Sequence, residues 1–153
     1  KTLLPYQVNA YTLMAAKLVY ENKLLYRELI KKVVQERQQL VDFLQQQGFE
    51  VWPSAANFVL FRANGRMAEI LAESHDEVYG RDEKMTALEK SGHFIYRYLL
   101  SHGILTADLA ACPQLSGSIR LTVVLPEENE IIRQQLQLLC ADVFVHGNKT
   151  REE

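Results

Sequence analysis

The stretch SIRLTVVLPEEN, residues 118–129, contains the end of a strand and the start of a helix. Apolar and polar residues alternate in its first half, as they do in a strand with one buried face. Pro126 then takes the first helical position, where the missing N–H of proline needs no partner. Three glutamates in the next turn suit the positive end of the helix dipole: Glu127, Glu128 and Glu130. We predict a strand over 118–124 and a following helix whose buried face carries Ile132, Leu136, Leu139 and Val143.

Three more strands are predicted upstream of this stretch. Residues 49–52 and 57–62 are rich in β-branched and aromatic side chains, and the turn Pro53-Ser54-Ala55 separates them. Residues 104–106 form a third, short strand. The connection from there to the strand at 118–124 is predicted to be a loop.

A long helical segment precedes these strands, after an extended start. Asn9 can cap it, because an asparagine side chain accepts hydrogen bonds from the first helical N–H groups. Apolar residues then recur at helical spacing from Ala10 to about Gln47. A kink or turn at residues 20–23 is predicted to divide the segment into a short helix and a long one. Gly48 follows at the position that glycine favours after a helix.

Residues 66–92 are the least regular and most charged part of the sequence. They follow Asn64-Gly65, which is a turn signal. We predict two short helical pieces here, at 67–73 and at 83–90. A firmer helix is predicted at 93–102.

The predicted order is helix, helix, strand, strand, helix, strand, strand, helix. This order favours an α/β fold of the two-layer α+β type. A small mixed or antiparallel sheet would carry helices mainly on one face, preceded by a long helix. One domain would cover residues 1–145, and residues 146–153 would form a polar tail.

Composition excludes several classes of function. The chain has 153 residues and a net charge of −2, so it has no electrostatic attraction for nucleic acid or an anionic membrane. No apolar run approaches the ~20 residues that a membrane span needs. Cys112 and Cys140 lack metal-site spacing, and we predict two reduced thiols and a cytoplasmic location. Because the chain starts at Lys1, we expect it to be part of a longer protein.

Few residues carry recognisable chemistry. The histidines lie far apart in sequence, outside any metal motif; they are His75, His93, His102 and His146. The acidic pairs Asp76-Glu77 and Asp82-Glu83 are typical of a solvated helix face. Arg120 stands out, because it lies inside an apolar strand between Ile119 and Leu121. It is either a solvent-facing or ion-paired strand arginine, or its planar guanidinium binds a carboxylate or phosphate through two parallel hydrogen bonds.

Four strings of sequence resemble a known pattern, in the same order and mostly the same spacing. They are LPYQVN (4–9), PSAANFVLFR (53–62), HGIL (102–105) and LSGSIRLTVVLPEEN (115–129). Together they resemble the C-terminal portion of pyridoxal-phosphate-dependent class I/II aminotransferases. The nearest subgroup is histidinol-phosphate aminotransferase, and the similarity covers most of the chain.

The resemblance implies a small C-terminal lobe that closes over an active site. Residues 1–22 would belong to the linker and helix between the two lobes, and residues 66–92 would be an insertion atypical of the family. Arg120 matches the arginine that binds the acidic group of the substrate, whereas Asn57 and Phe58 match a pair with a mainly structural role. The full-length enzyme would be a homodimer with pyridoxal phosphate. It would transfer an amino group from a small-molecule amino acid or amino phosphate to a 2-oxo acid.

The chain also departs from the family pattern. The resemblance implies a cofactor-binding lysine in a Ser-x-Ser-Lys string, and no such string is present. We therefore expect no catalytic, cofactor-binding or metal-binding residue in this chain, and we expect the chain alone to be inactive. The resemblance also implies a second arginine soon after the Gly-Ile-Leu string, but Gly103-Ile104-Leu105 continues into Thr106-Ala107. It implies a glycine after the Arg-Leu-Thr-Val string, where this chain has Val124.

Two alternatives remain open. One is a parent enzyme of threonine-phosphate decarboxylase or aromatic aminotransferase type, which the absent second arginine would suit. The other is a non-catalytic, standalone binding or regulatory domain that uses the charged segment as its interaction surface.

Overall fold

The computed structural model describes residues 8–109 and 112–149. The expected extended start, including Pro5, therefore lies outside the described residues. The elements in chain order are α1 (Ala10–Glu21), α2 (Lys23–Gln46), β1 (Glu50–Trp52), β2 (Phe58–Arg62), α3 (Gly65–Tyr79), α4 (Ala87–Ser101), β3 (Ala107–Asp108), a 3-10 turn (Pro113–Leu115), β4 (Ile119–Thr122) and α5 (Pro126–Lys149).

The four strands form one antiparallel sheet in the order β1-β2-β4-β3. One face of the sheet is buried, through Val59 and Phe61 of β2 and through Ile119 and Leu121 of β4. Apolar side chains from α2, α3, α4 and α5 join these residues in a single core. The predicted two-layer α/β fold, with its helices on one face of a small sheet, is confirmed.

The two N-terminal helices begin and end at the predicted residues. The Asn9 side chain accepts a hydrogen bond from the Thr12 N–H at 2.9 Å and caps α1. Asn22 then separates α1 from α2. Gly48 adopts a φ of +88°, which lets the next residue, Phe49, donate its N–H back to the Leu44 carbonyl at 3.0 Å. Glycine tolerates this conformation because it has no side chain to clash.

The prediction for residues 66–92 is wrong in its boundaries. A single helix, α3, runs to Tyr79, and the predicted piece at 83–90 is loop over 83–86 and becomes the first turn of α4 from Ala87. A capping box fixes the start of α4: Thr86 accepts from the Glu89 N–H, and Glu89 accepts from the Thr86 N–H. The sequence Thr86-x-x-Glu89 has the pattern of a capping box, which indicates the start of a helix. Asn64 and Gly65 likewise begin a helix instead of forming an isolated turn.

The predicted strand at 104–106 is also wrong, because the third strand is β3, Ala107–Asp108. Gly103 has a φ of +77° and ends α4, and the Ile104 N–H bonds to the Leu99 carbonyl at 2.9 Å. That N–H is therefore committed to the helix end and cannot pair with a strand. The strand starts only after this helix-terminating turn.

The helix after β4 begins at Pro126, as predicted, and buries its four predicted apolar residues. It extends to Lys149, beyond the expected start of the tail at residue 146. Asn129 is fully buried and holds the strand-to-helix turn: its amide donates to the Val124 carbonyl and accepts from the Val124 N–H. The same amide donates to Glu36 of α2 at 3.0 Å. This network fixes the end of β4 relative to two helices.

Helix α4 approaches the start of β4 closely. A Cβ atom built on Gly92 would lie 2.5 Å from the Gly117 carbonyl oxygen, and a Cβ on Gly117 would collide with the Leu88 carbonyl. Such distances leave no room for a side chain at either position. The pair of glycines therefore sets how close β4 lies to the helical layer.

Candidate functional site

The face of the sheet opposite the helices is open. The register aligns four residues across it in one row, which runs Trp52, Leu60, Arg120, Ala107. Phe58 and Thr122 form the neighbouring row. This open face is the candidate functional site, because it contains the one residue that the sequence analysis selected for binding.

Arg120 is exposed on this face, while its neighbours Ile119 and Leu121 are buried on the other. The predicted alternation is therefore correct. The guanidinium carbon lies 5.7 Å from the centre of the Phe58 ring, within the range of a cation–π contact. Within residues 8–109 and 112–149, no carboxylate forms a salt bridge with Arg120, so the guanidinium edge is available to an anion.

The second arginine on this face is already neutralised. Arg62 Nε lies 2.7 Å from Glu50 Oε2, and the Arg62 guanidinium stacks over the Trp52 ring at 5.1 Å. This pair occupies the β1 edge of the sheet, away from β3. The described open face therefore has one cation without an acidic partner, and that cation is Arg120.

Sequence reasoning missed two neighbours of Arg120. Phe58 is expected to have a mainly structural role, and its ring lies 5.7 Å from the guanidinium carbon of Arg120. Ala107 was noted only because an arginine was absent around it, and the register now aligns it directly with Arg120. Strand alternation could have shown that Phe58 and Leu60 share a face, but not that this face is the one with Arg120.

A second polar cluster lies between α3 and α4. His75 is buried, and its Nε2 lies 3.1 Å from Nδ1 of His93. His75 Nδ1 lies 3.3 Å from Asp76, whose other carboxylate oxygen accepts from Lys90 Nζ at 2.6 Å. His75 and His93 are 18 residues apart in sequence, as noted above, and the packing of α3 against α4 brings their rings together. Asp76 keeps about a quarter of its side chain exposed, as a helix-surface acid does, but it also pairs with Lys90.

The environment of the cluster changes two pKa values. Burial lowers the pKa of His93, and the charges of His75 and Arg97 lower it further, while Asp108 opposes them. The hydrogen bond from Lys90 is the largest cause that lowers the pKa of Asp76. These shifts favour neutral His93 and ionised Asp76, which is the charge pattern of a structural ion-pair network.

None of the described lysines lies in a strand of the sheet. The buried one, Lys90, is ion-paired to Asp76 in the helical layer, on the opposite side of the sheet from Arg120. Within residues 8–109 and 112–149, no group of three His, Cys, Asp or Glu side chains could hold a metal ion.

Two further observations bear on the sequence predictions. Cys112 and Cys140 are both free thiols, and burial raises the pKa of Cys140 to about 11. Among the described helices, none is both long enough and apolar enough to cross a membrane.

The fold is of the α/β class that the sequence predicted, and comparison with known proteins finds relatives of the family that the sequence motifs resemble. The chain is 29% identical over 132 residues to histidinol-phosphate aminotransferase 1 of Carboxydothermus hydrogenoformans, which covers 86% of this chain and 30% of the relative. It is 28% identical over 139 residues to histidinol-phosphate aminotransferase of Aquifex aeolicus, covering 90% and 32% respectively. A match of 57 residues to the Pseudomonas putida enzyme of the same name reaches 39% identity.

The resemblance to histidinol-phosphate aminotransferases is thereby confirmed. The chain spans about 30% of the length of these curated relatives. No protein-family model matches it.

Proposed function

We propose that this chain is the C-terminal, substrate-binding lobe of a pyridoxal-phosphate-dependent aminotransferase that resembles histidinol-phosphate aminotransferase. Arg120 binds the anionic group of the substrate. The observation that carries the proposal is the exposed guanidinium of Arg120, which has no acidic partner in the described part of the chain. The similarity to aminotransferases along most of the chain supports the same role.

The role of Arg120 is to orient the substrate. An aminotransferase must hold the substrate so that the bond to be broken faces the cofactor. A guanidinium fixes the orientation of an anionic group, because it can donate two parallel hydrogen bonds to that group. The cofactor supplies the electron sink for the amino transfer. Because the sequence has no Ser-x-Ser-Lys string, we propose that residues outside this chain hold pyridoxal phosphate. The chain alone is then inactive.

The surface of the N-terminal helices supports the lobe interpretation. Helix α1 has no buried residue. Large apolar side chains of α1 and the first part of α2 are each more than half exposed: Tyr11, Leu13, Met14, Leu18, Tyr20, Leu24, Leu25 and Ile30. A domain that works alone rarely exposes so much contiguous apolar surface. We propose that the rest of the longer enzyme, a cytoplasmic homodimer, covers it, and the two free thiols agree with that location.

The Arg120 assignment is tested in the longer enzyme, with the amino-donor reaction as readout. The R120Q variant should lower kcat/KM about 10- to 100-fold, since a hydrogen bond to a charged group contributes roughly 1.5–3 kcal/mol. R81Q is the matched control, because Arg81 is an exposed arginine in the loop between α3 and α4. Equal kcat/KM values for wild type and R120Q would refute the assignment.

The inactivity of the isolated chain is tested with the cofactor itself. Pyridoxal phosphate is added to the purified chain, and visible absorbance is followed before and after borohydride. We expect no lysine-bound cofactor band. A stable band that borohydride removes would contradict the proposal.

The coding sequence upstream decides between a lobe and a standalone domain. A reading frame with a Ser-x-Ser-Lys motif, continuous with this chain, is expected. A start codon directly before Lys1 would instead favour the non-catalytic binding domain.

A further inference from the structure

We infer that Glu36 and Arg37 of α2 are positioning residues, which hold the start of β2 and the end of β4 and thereby fix Phe58 relative to Arg120. Both residues lie in the helical layer, away from the open face of the sheet. The inference rests on the proposed function, because it concerns the strand arginine to which that proposal assigns the substrate. Its basis is a closed set of hydrogen bonds that leaves α2, passes through both strand ends and returns to α2.

The first part of this set ties α2 to the start of β2. Arg37 Nη1 donates to the Ala56 carbonyl at 2.7 Å. The next carbonyl, that of Asn57, accepts from the Val123 N–H at 2.8 Å, one residue beyond the end of β4. A charged donor makes a stronger hydrogen bond than a neutral one. Arg37 therefore holds the segment that enters β2 at the point where it meets the end of β4.

The second part ties α2 to the end of β4. Glu36 Oε2 accepts from the buried Asn129 amide at 3.0 Å, and that amide bonds to both backbone groups of Val124. The Glu36 side chain is only 13% exposed, and the same oxygen lies 3.9 Å from Arg133 Nη1, which balances its charge. Val124 follows Val123 directly, so the two parts join. Neighbouring residues of one helix therefore hold two strands at the same end of the sheet.

This end of the sheet contains the contact between Phe58 and Arg120. Phe58 is aligned with Thr122 in the register, and its ring centre lies 5.7 Å from the guanidinium carbon of Arg120. Ala56 lies two residues before Phe58, and Val124 lies two residues after Thr122. A shift of either strand end would therefore change the position of the ring relative to the guanidinium.

Helix α2 connects these hydrogen bonds to the apolar surface that the rest of the enzyme is proposed to cover. It is one continuous helix of 24 residues, exposed along its first part and anchored in the core by the fully buried Leu40 and Leu44. A helix is a rigid element that can carry a displacement along its length. Contact with the exposed part of α2 is thus transmitted through Glu36 and Arg37 to both strands.

The inference is tested on this chain by NMR, with the ring-current shift that Phe58 imposes on the Arg120 side-chain protons as readout. Spectra are recorded where each variant is folded, because a loss of stability alone does not change the shift of the folded molecules. R37M removes the donor and should abolish the shift. R37K restores a charged donor and should recover most of it. R27M, at an exposed arginine earlier on α2, should leave it unchanged.

Variants of Glu36 test the second part of the set independently, so the inference remains falsifiable if R37M does not fold. E36A removes the acceptor of the Asn129 amide and should also abolish the ring-current shift, whereas E36Q keeps an acceptor oxygen and should retain most of it. E28A is the matched control, because Glu28 is an exposed acid of α2 that pairs only with the nearby Lys31 among the described residues. An unchanged shift in a folded R37M or E36A overturns the inference.

A double-mutant cycle with R120Q in the longer enzyme links this positioning to turnover. The amino donors are L-histidinol phosphate, L-phenylalanine and L-glutamate, and the donor with the highest kcat/KM is used. R37M should lower kcat/KM about 10-fold in the wild-type background but less than about twofold in R120Q, since misplacement matters only while Arg120 is present. R27M should have no effect in either background.

The outcomes separate this inference from the proposed function. If R120Q lowers kcat/KM and R37M lowers it equally in both backgrounds, the inference is overturned and the proposed function stands. If R120Q has no effect, or if no donor is turned over, both are overturned.

Discussion

Nε2 of His75 lies 3.1 Å from Nδ1 of His93, so the two imidazole rings share one hydrogen bond across the interface of α3 and α4. One nitrogen must donate and the other must accept, and both rings cannot be cationic without placing two N–H groups against each other. Asp76 and Lys90 continue this network on α3 and α4, and Arg97 and Asp108 act on His93 from α4 and β3. The network therefore links helix packing to protonation.

We predict that the chain loses stability between pH 7 and pH 5. Burial lowers the pKa of His93 in the folded state, so the unfolded chain binds more protons there. The contribution of His93 to the unfolding free energy is therefore complete above the pKa of about 6.5 that histidine has in the unfolded chain. It is lost as the pH falls through the lower pKa of His93 in the folded chain. Urea unfolding at stepped pH should show this slope, and H93Q should reduce it. H102Q, at an exposed histidine, should not; an unchanged slope in H93Q would refute the prediction.

The Asn129 side chain is predicted to be essential for the turn into α5. It is fully buried and bonds to Glu36 and to both backbone groups of Val124. N129A removes these bonds and leaves buried polar groups without partners, so it should lower the unfolding free energy by about 2–3 kcal/mol. Q134A, which removes an exposed amide bonded to Glu130, should change it by less than about 0.5 kcal/mol. Similar values for the two variants would contradict the turn assignment.

Any side chain at position 92 should lower the unfolding free energy. Alanine normally favours a helix over glycine by about 1 kcal/mol, but here its Cβ would meet the Gly117 backbone at 2.5 Å. G92A should therefore destabilise the chain by about 3 kcal/mol in urea unfolding. G103A provides a comparison, since that glycine has a φ of +77° but no atom within 4 Å of the added Cβ. It should cost only about 1–2 kcal/mol. An increase in stability of G92A would contradict the close packing of Gly92 against Gly117.

Loss of the capping box of α4 should lower the unfolding free energy less than N129A or G92A does. T86A removes the acceptor of the Glu89 N–H and should cost about 1 kcal/mol of unfolding free energy. T86S keeps the hydroxyl and should restore most of it. Equal losses in both variants would mean that the hydroxyl does not cap this helix.

Arg120 is predicted to be dispensable for stability. It has no acidic partner in the described residues, and R120Q removes only its cation–π contact with Phe58, so the unfolding free energy should fall by about 0.5 kcal/mol. R62Q should cost more, about 1 kcal/mol, because it breaks the ion pair with Glu50 and the contact with Trp52. A large loss in R120Q would indicate a structural role and weaken the case for binding.

The elements with local signals were predictable from the sequence. Asn9, Gly48 and Pro126 marked helix ends correctly, because a cap or a helix break depends on a few adjacent residues. The start of α4 was missed although Thr86 and Glu89 encode it locally. The strand at 104–106 was misplaced because the helix-terminating turn at Gly103 takes up the next N–H group.

By itself, the sequence determined the buried and open sides of β4, because alternation in a strand is local and Arg120 must face away from Ile119 and Leu121. Only the tertiary structure decided what lies beside Arg120. Phe58 and Ala107 come from other strands, and their alignment depends on a sheet register that no local pattern specifies. The pairing of His75 with His93 has the same origin, since it exists only when α3 and α4 pack together. Local alternation thus determined which face of the sheet carries Arg120, and long-range packing determined its surroundings.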